Sequence, residues 1–163
     1  MGAGSLKRSS AVEGESFCQR YEGFGDVEIR PFDLKSDPEF LYDWVQRDYA
    51  YFWGLQGKSR QDVRDEYVRL IARDRYAVFV GFYEQSPAFV MERYDPSFDD
   101  LAECYPVQPG DSGIHLIVAP PPSKPVAHFT WYMFRAVLDF VFRESSVSRV
   151  VVEPDIRNRK MFT

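Results

Sequence analysis

A strand–helix–strand unit near the end of the chain, a strand hairpin in its middle and two capped helices before it predict an α/β (α+β) domain. Its sheet is mixed, mostly antiparallel, with helices packed on it. The first unit calls for a parallel pair joined by a right-handed crossover. The hairpin calls for antiparallel pairing. A length of 163 residues favours one domain. Hydrophobic residues at 45% supply a core, and aromatics at 17% line it, or a cleft, with rings.

Residues 1–25 begin Gly/Ser-rich and read as a flexible tail, with the domain running over 26–163. Residues 26–33, DVEIRPFD, alternate Val27 and Ile29 before Phe32 and form a first strand, with Pro31 near its end. Ser36-Asp37-Pro38-Glu39 is a helix start, a capping residue with proline in the first turn. Phe40, Leu41, Trp44 and Val45 then recur at helical spacing. Gly54 and Gly57 interrupt the chain, and Ser59 caps a second helix with Val63, Tyr67, Leu70 and Ile71 on one face. YAVFVGFY over 76–83 and AFVMERY over 88–94 are strands, with Gln85-Ser86-Pro87 turning between them. Residues 95–111 form a polar loop. IHLIVA over 114–119 is the next strand, ended by Pro120, Pro121 and Pro122. The longest helix spans 127–143, with Trp131, Phe134, Leu138, Val141 and Phe142 marking its buried stripe. Residues 149–152 form the last clear strand, and a helix begins after Asp155.

A net charge of −5 without a basic block argues against a nucleic-acid partner and for small-molecule or protein partners. No apolar run approaches the roughly 20 residues of a membrane span, and the N-terminus has no apolar signal core. Cys18 and Cys104 stand in unlike contexts without CxxC spacing, so neither a metal site nor a disulfide framework is expected. A reduced, cytoplasmic setting fits.

Four places can carry chemistry. His115 sits in an apolar strand whose pleat puts Ile114, Leu116 and Val118 on one face and His115 and Ile117 on the other. It can exchange a proton near neutrality, or be a core histidine bonded to a backbone carbonyl. Glu153-Pro154-Asp155 ends a buried strand on two carboxylates, which need partners or a cleft. Asp155 can equally cap the helix that follows. Glu92, acidic in an apolar strand, can hold a cationic substrate or face solvent on a hairpin. The stretch before the long helix, with Lys124, His128 and Thr130, can meet an anion at a helix N-terminus or simply be a stiff turn. Trp53 belongs to the core or to a cleft wall. Neither cysteine has the context of a nucleophile.

GIHLIVAPP, the helix AHFTWYMFRAVLDFVF and RVVVEPDIRN, in that order, resemble the GNAT-type acyltransferases of siderophore biosynthesis. The likeness covers residues 26–163 and is nearest to the aerobactin-type hydroxylysine N-acetyltransferases and the mycobactin lysine acyltransferase. It implies a splayed parallel strand pair with an acyl-CoA, acetyl-CoA or longer, in the fork. The pantetheine arm would bond along Leu116, Ile117 and Val118, and the pyrophosphate would meet Lys124, His128, Phe129 and Thr130. A small amine or hydroxylamine acceptor would attack the thioester directly, with His115 and Asp155 as the acid/base pair. Trp53, Glu92 and Glu153 would contact the acceptor. No metal is implied. The chain departs from the family in two ways. Lys124-Pro125-Val126-Ala127-His128-Phe129 has no glycine where the pyrophosphate loop has Gln/Arg-x-x-Gly-x-Gly/Ala. The family's last strands are also expected to be missing, which would expose a sheet edge open to self-association. A non-catalytic module acting through protein contacts, and an acetyltransferase of another amine, stand beside this reading.

Overall fold

Successive strands lie side by side, joined either by turns and loops or by helical connections. In the computed structural model, which describes residues 16–120 and 124–159, six strands follow the order of the chain: β1 (Phe17–Tyr21), β2 (Gly25–Pro31), β3 (Tyr76–Tyr83), β4 (Ser86–Tyr94), β5 (Asp111–Val118) and β6 (Arg149–Val151). Every neighbouring pair is antiparallel except β5 with β6, which is parallel. Helix α3 (Phe129–Val141) makes that crossover, while α1 (Asp37–Val45) and α2 (Arg60–Ile71) lie between β2 and β3. The mixed, mostly antiparallel sheet expected from the sequence is the one observed. Among the described residues, no helix is long and apolar enough to cross a membrane.

The two-residue period of the strands sorts their side chains onto two faces. Val27, Ile29, Phe79, Phe89, Met91 and Ile114 pack against Met133, Ala136, Val137, Phe140 and Val141 of α3. On the other face, Val78, Val80, Val90 and Ile117 pack with Leu41, Trp44 and Val45 of α1 and Val63 and Tyr67 of α2. Ser59 caps α2 through a reciprocal pair of bonds with Asp62. Ser36 makes no such cap. Instead the buried Asp37 accepts both Arg30 guanidinium nitrogens and the Asp33 N–H, fastening the start of α1 to β2. Asp111 accepts a two-pronged contact from Arg149, its register partner, at 2.7 and 2.7 Å, clamping the start of the parallel pair.

Several boundaries and one face differ from the sequence reading. Phe17–Tyr21 form an edge strand rather than part of the tail. Only Phe17 and Tyr21 of FCQRY are buried, and Gln19 between them on the same face hides the alternation. Residues 1–15 lie outside the described residues. The hairpin turns at Glu84 and Gln85, both with positive φ, so Ser86 and Pro87 already belong to β4. β5 starts at Asp111, three residues before the apolar run. Helix α3 turns inward a face that shares only Val141 with the fully buried part of the expected stripe: Trp131 and Leu138 are 57% and 38% exposed, and Phe142, just after the helix, 46%. This helix is apolar nearly all round, so periodicity does not select its inner side.

Gly81 sits against the fully buried Phe89 ring, where an added Cβ would come within 2.0 Å of a ring carbon. Gly81→Ala is therefore expected to lower stability by about 2 kcal/mol through overpacking, read as a fall in the chemical denaturation midpoint. An unchanged midpoint would mean that the Phe89 ring has room to retreat.

Candidate active site

Pairing register brings the candidate residues together. Glu92 on β4 and His115 on β5 are direct cross-strand partners, and both face the α1/α2 side. Val78 faces Glu92 across the β3–β4 ladder, so Tyr76, two residues earlier, is diagonal to it. Tyr94 lies opposite Gly113, whose missing side chain makes room for the tyrosine ring. That ring sits 4.9 Å, centroid to centroid, from the imidazole. Tyr67 reaches the same point from α2 and Trp53 from the 3-10 segment Asp48–Trp53.

Glu92 is 6% exposed. Its Oε1 accepts from the Tyr67 hydroxyl at 2.9 Å. Its Oε2 accepts from the Tyr76 hydroxyl and lies 3.1 Å from His115 Nδ1. The Trp53 indole N–H donates to the Tyr67 oxygen at 3.2 Å. On the other side of the ring, His115 Nε2 lies 3.1 Å from Glu153 Oε1, which also accepts from Tyr94 at 3.3 Å. Burial pushes the imidazole towards its neutral form, but the hydrogen bonds to Glu92 and Glu153 outweigh it, and the His115 pKa lies above the ordinary histidine value. Burial and the neighbouring carboxylate push the Tyr67 and Tyr76 hydroxyls well above the usual phenol range, so both remain donors.

The parallel pair parts at this point. β5 and β6 are paired at three positions, the last being Gly113 with Val151. β5 continues to Val118, bonded to β4 on its other side. The edge of β5 beyond Gly113 that faces away from β4 thus has no β6 partner, and His115 and Glu153 stand at the mouth of the fork. Leu116 and Val118 point to the α3 face and Ile117 to the α1/α2 face, as the pleat predicts.

Other predicted residues fall elsewhere. Asp155 is not a partner of His115. Its carboxylate accepts from the Arg157 backbone N–H at 2.8 Å and from the Arg157 guanidinium at 2.9 and 2.6 Å. The guanidinium bonds, with the backbone bond, hold its pKa down to about 2. The Asp155 carbonyl closes a turn to Asn158, so its carboxylate and carbonyl hold a turn over 155–158 where the sequence calls for a helix start at Ile156. A cavity of about 370 Å³ lies here, walled by Tyr51, Phe52, Gly54, Gln56, Asp155 and Arg157. Lys124, His128 and Thr130 are exposed at the start of α3, while Phe129 packs inward near Phe24 and Tyr83. His128 has φ of 59°, in the left-handed region where glycine is at ease. Among the described residues, no group of His, Cys, Asp and Glu is arranged to hold a metal ion.

Sequence reasoning missed Tyr76 and Tyr94 and took Tyr67 for plain core. A signal existed: a buried glutamate needs donors, and tyrosines are the donors that an otherwise apolar sheet face offers.

A family profile described as acetyltransferase (GNAT) domain matches residues 33–163. The N(6)-hydroxylysine O-acetyltransferase of Escherichia coli is 27% identical over 139 residues, which is 83% of this chain and 43% of that protein. The chain thus spans less than half the length of that relative. An uncharacterized protein from Bacillus halodurans superposes with a TM-score of 0.79 at 24% identity, over 90% of this chain and 76% of that one. The aminoglycoside acetyltransferase AAC(6')-Ib, solved with paromomycin and acetyl-CoA, gives 0.70 at 21% identity, over 83% and 77%. These two structural matches show a shared fold.

The tyrosine donors carry a testable load. Tyr67→Phe removes one bond to a buried carboxylate and orphans the Trp53 N–H. It is expected to cost about 1–3 kcal/mol, seen as a lower urea midpoint at unchanged slope. A midpoint equal to that of the unmutated chain would show that the carboxylate does not need this donor.

Proposed function

The chain belongs to the acetyltransferase (GNAT) domain family, and on that premise we propose that it is an acyl-CoA-dependent N-acyltransferase of hydroxamate siderophore formation. Its acceptor is the side-chain hydroxylamine or amine of hydroxylysine or lysine. The observation that carries this reading is the fork: β5 outlasts its pairing with β6, and an imidazole held between two carboxylates stands at the opening. The outer edge at Leu116, Ile117 and Val118 has the backbone groups that an extended pantetheine arm needs. The segment holding Lys124, His128, Phe129 and Thr130 offers a cation and a helix N-terminus to its phosphates. The acceptor enters past Trp53, with the cavity beside Asp155 and Arg157 as its lodging.

In this reaction the acceptor nitrogen attacks the thioester carbon, the carbon–sulfur bond breaks, and CoA leaves as the thiol. One proton must leave the nitrogen and one must reach the sulfur. His115 mediates this transfer, with Glu153 at its outer nitrogen and Asp155 as the rim carboxylate that Arg157 orients. A hydroxylamine presents both nitrogen and oxygen, and the Escherichia coli relative is named for O-acetylation. N-acylation yields a hydroxamate, which binds ferric iron, whereas the O-acyl isomer does not. The glycine-free stretch before α3 favours a second reading, a non-catalytic module with weak acyl-CoA affinity.

Calorimetric titration with acetyl-CoA, then with a longer acyl-CoA, separates the two readings: micromolar binding is expected for the enzyme and none for the module. With hydroxylysine as acceptor, a ferric colour test on the product should be positive. His115→Ala and Asp155→Ala are each expected to lower turnover about 100-fold or more. Full turnover in both variants would end the acid/base assignment.

A further inference from the structure

We propose that Glu92 is a positioning residue for His115, a buried carboxylate that keeps a proton on Nδ1 and leaves Nε2 as the ring atom that exchanges protons with the cleft. This deepens the reading of His115 as the proton-transfer group and rests on it.

The donor directions around Glu92 support the assignment. An indole N–H can only donate, so the Tyr67 oxygen accepts from Trp53. The Tyr67 hydrogen is then free to point to Glu92 Oε1. Tyr76 donates to Oε2. A carboxylate fixed as acceptor by two hydroxyls, and 6% exposed, stabilises a donor at its third contact, and that contact is Nδ1. Nε2 is left facing Glu153, whose side chain is 39% exposed. Glu92 itself has no open path to an acceptor substrate, so the acceptor-binding role expected from sequence passes to Glu153 and Trp53.

The groups around the ring are few. Glu92 and Tyr94 come from β4, and Glu153 comes from the segment after β6. Tyr67 of α2 and Tyr76 of β3 act through Glu92, and the Trp53 ring closes one side at 6.5 Å. Asp155 and Arg157 are engaged with each other. Both carboxylates favour the charged ring, so removing either one lowers its titration midpoint.

The chain has two histidines, so long-range nitrogen–proton NMR of the ¹⁵N-labelled protein resolves the ring directly, with His128→Asn identifying which signal is His115. The neutral ring is expected as the Nδ1–H tautomer. In Glu92→Gln its midpoint should fall by roughly one pH unit, and kcat should drop at least about 10-fold with an unchanged KM for acyl-CoA. The limb of the pH–rate profile set by His115 should move with the NMR midpoint. An Nε2–H tautomer in the unmutated protein overturns the proposal, as does a folded Glu92→Gln protein with an unmoved midpoint. If Glu92→Gln does not fold, the tautomer of the unmutated chain decides. The tautomer is read without substrate, so a chain that transfers no acyl group would sink the enzymatic reading while leaving this one to the spectrum.

Discussion

The buried Glu92 carboxylate is the constraint on which the structure turns. A charge taken out of water costs several kcal/mol unless donors replace the lost hydration. Here they come from α2, β3 and β5, through Tyr67, Tyr76 and His115. None of those elements can shift by one residue without removing its donor, and a one-residue slip of β4 would turn Glu92 to the α3 face. The requirement that fixes the strands therefore also fixes the imidazole at the fork.

Much of this was legible in residues. The period-two runs located β3, β4 and β5, and the split of Ile114, Leu116 and Val118 from His115 and Ile117 is the split observed. Ser59 marked the start of α2 because a capping box is written in four consecutive residues. What failed was non-local. β1 hides because Gln19 breaks its apolar face, and its place depends on pairing with β2. The inner face of α3 hides because Trp131, Leu138 and Phe142 are as apolar as the residues that are buried. The pairing of His115 with Glu153 rather than Asp155 depends on where the chain turns after β6 and on Arg157 two residues further on. The tyrosine donors carry no local motif at all.

The fork and the wall of the cavity beside Asp155 are built by different parts of the molecule. The fork between β5 and β6 belongs to the fold, which this chain shares with an aminoglycoside acetyltransferase at 21% identity. The walls near Trp53, Tyr51 and Phe52 come from the connection between α1 and α2. Such connections vary without disturbing a sheet. A single sheet can thus keep its fork while the wall beside it changes.

The strand order repeats the chain order. The β1–β2 and β3–β4 turns close small loops, whereas β2 reaches β3 through α1 and α2, and β5 reaches β6 through α3. The parallel pair alone needs a crossover, which α3 supplies between β5 and β6. Glu153 travels with that last strand, whereas Glu92 and His115 already face each other in an antiparallel ladder. The inner carboxylate on the ring is thus set by an antiparallel ladder, and the outer one by the chain that leaves β6. A shift of β6 along β5 would therefore move one of the two carboxylates on the ring and leave the other in place.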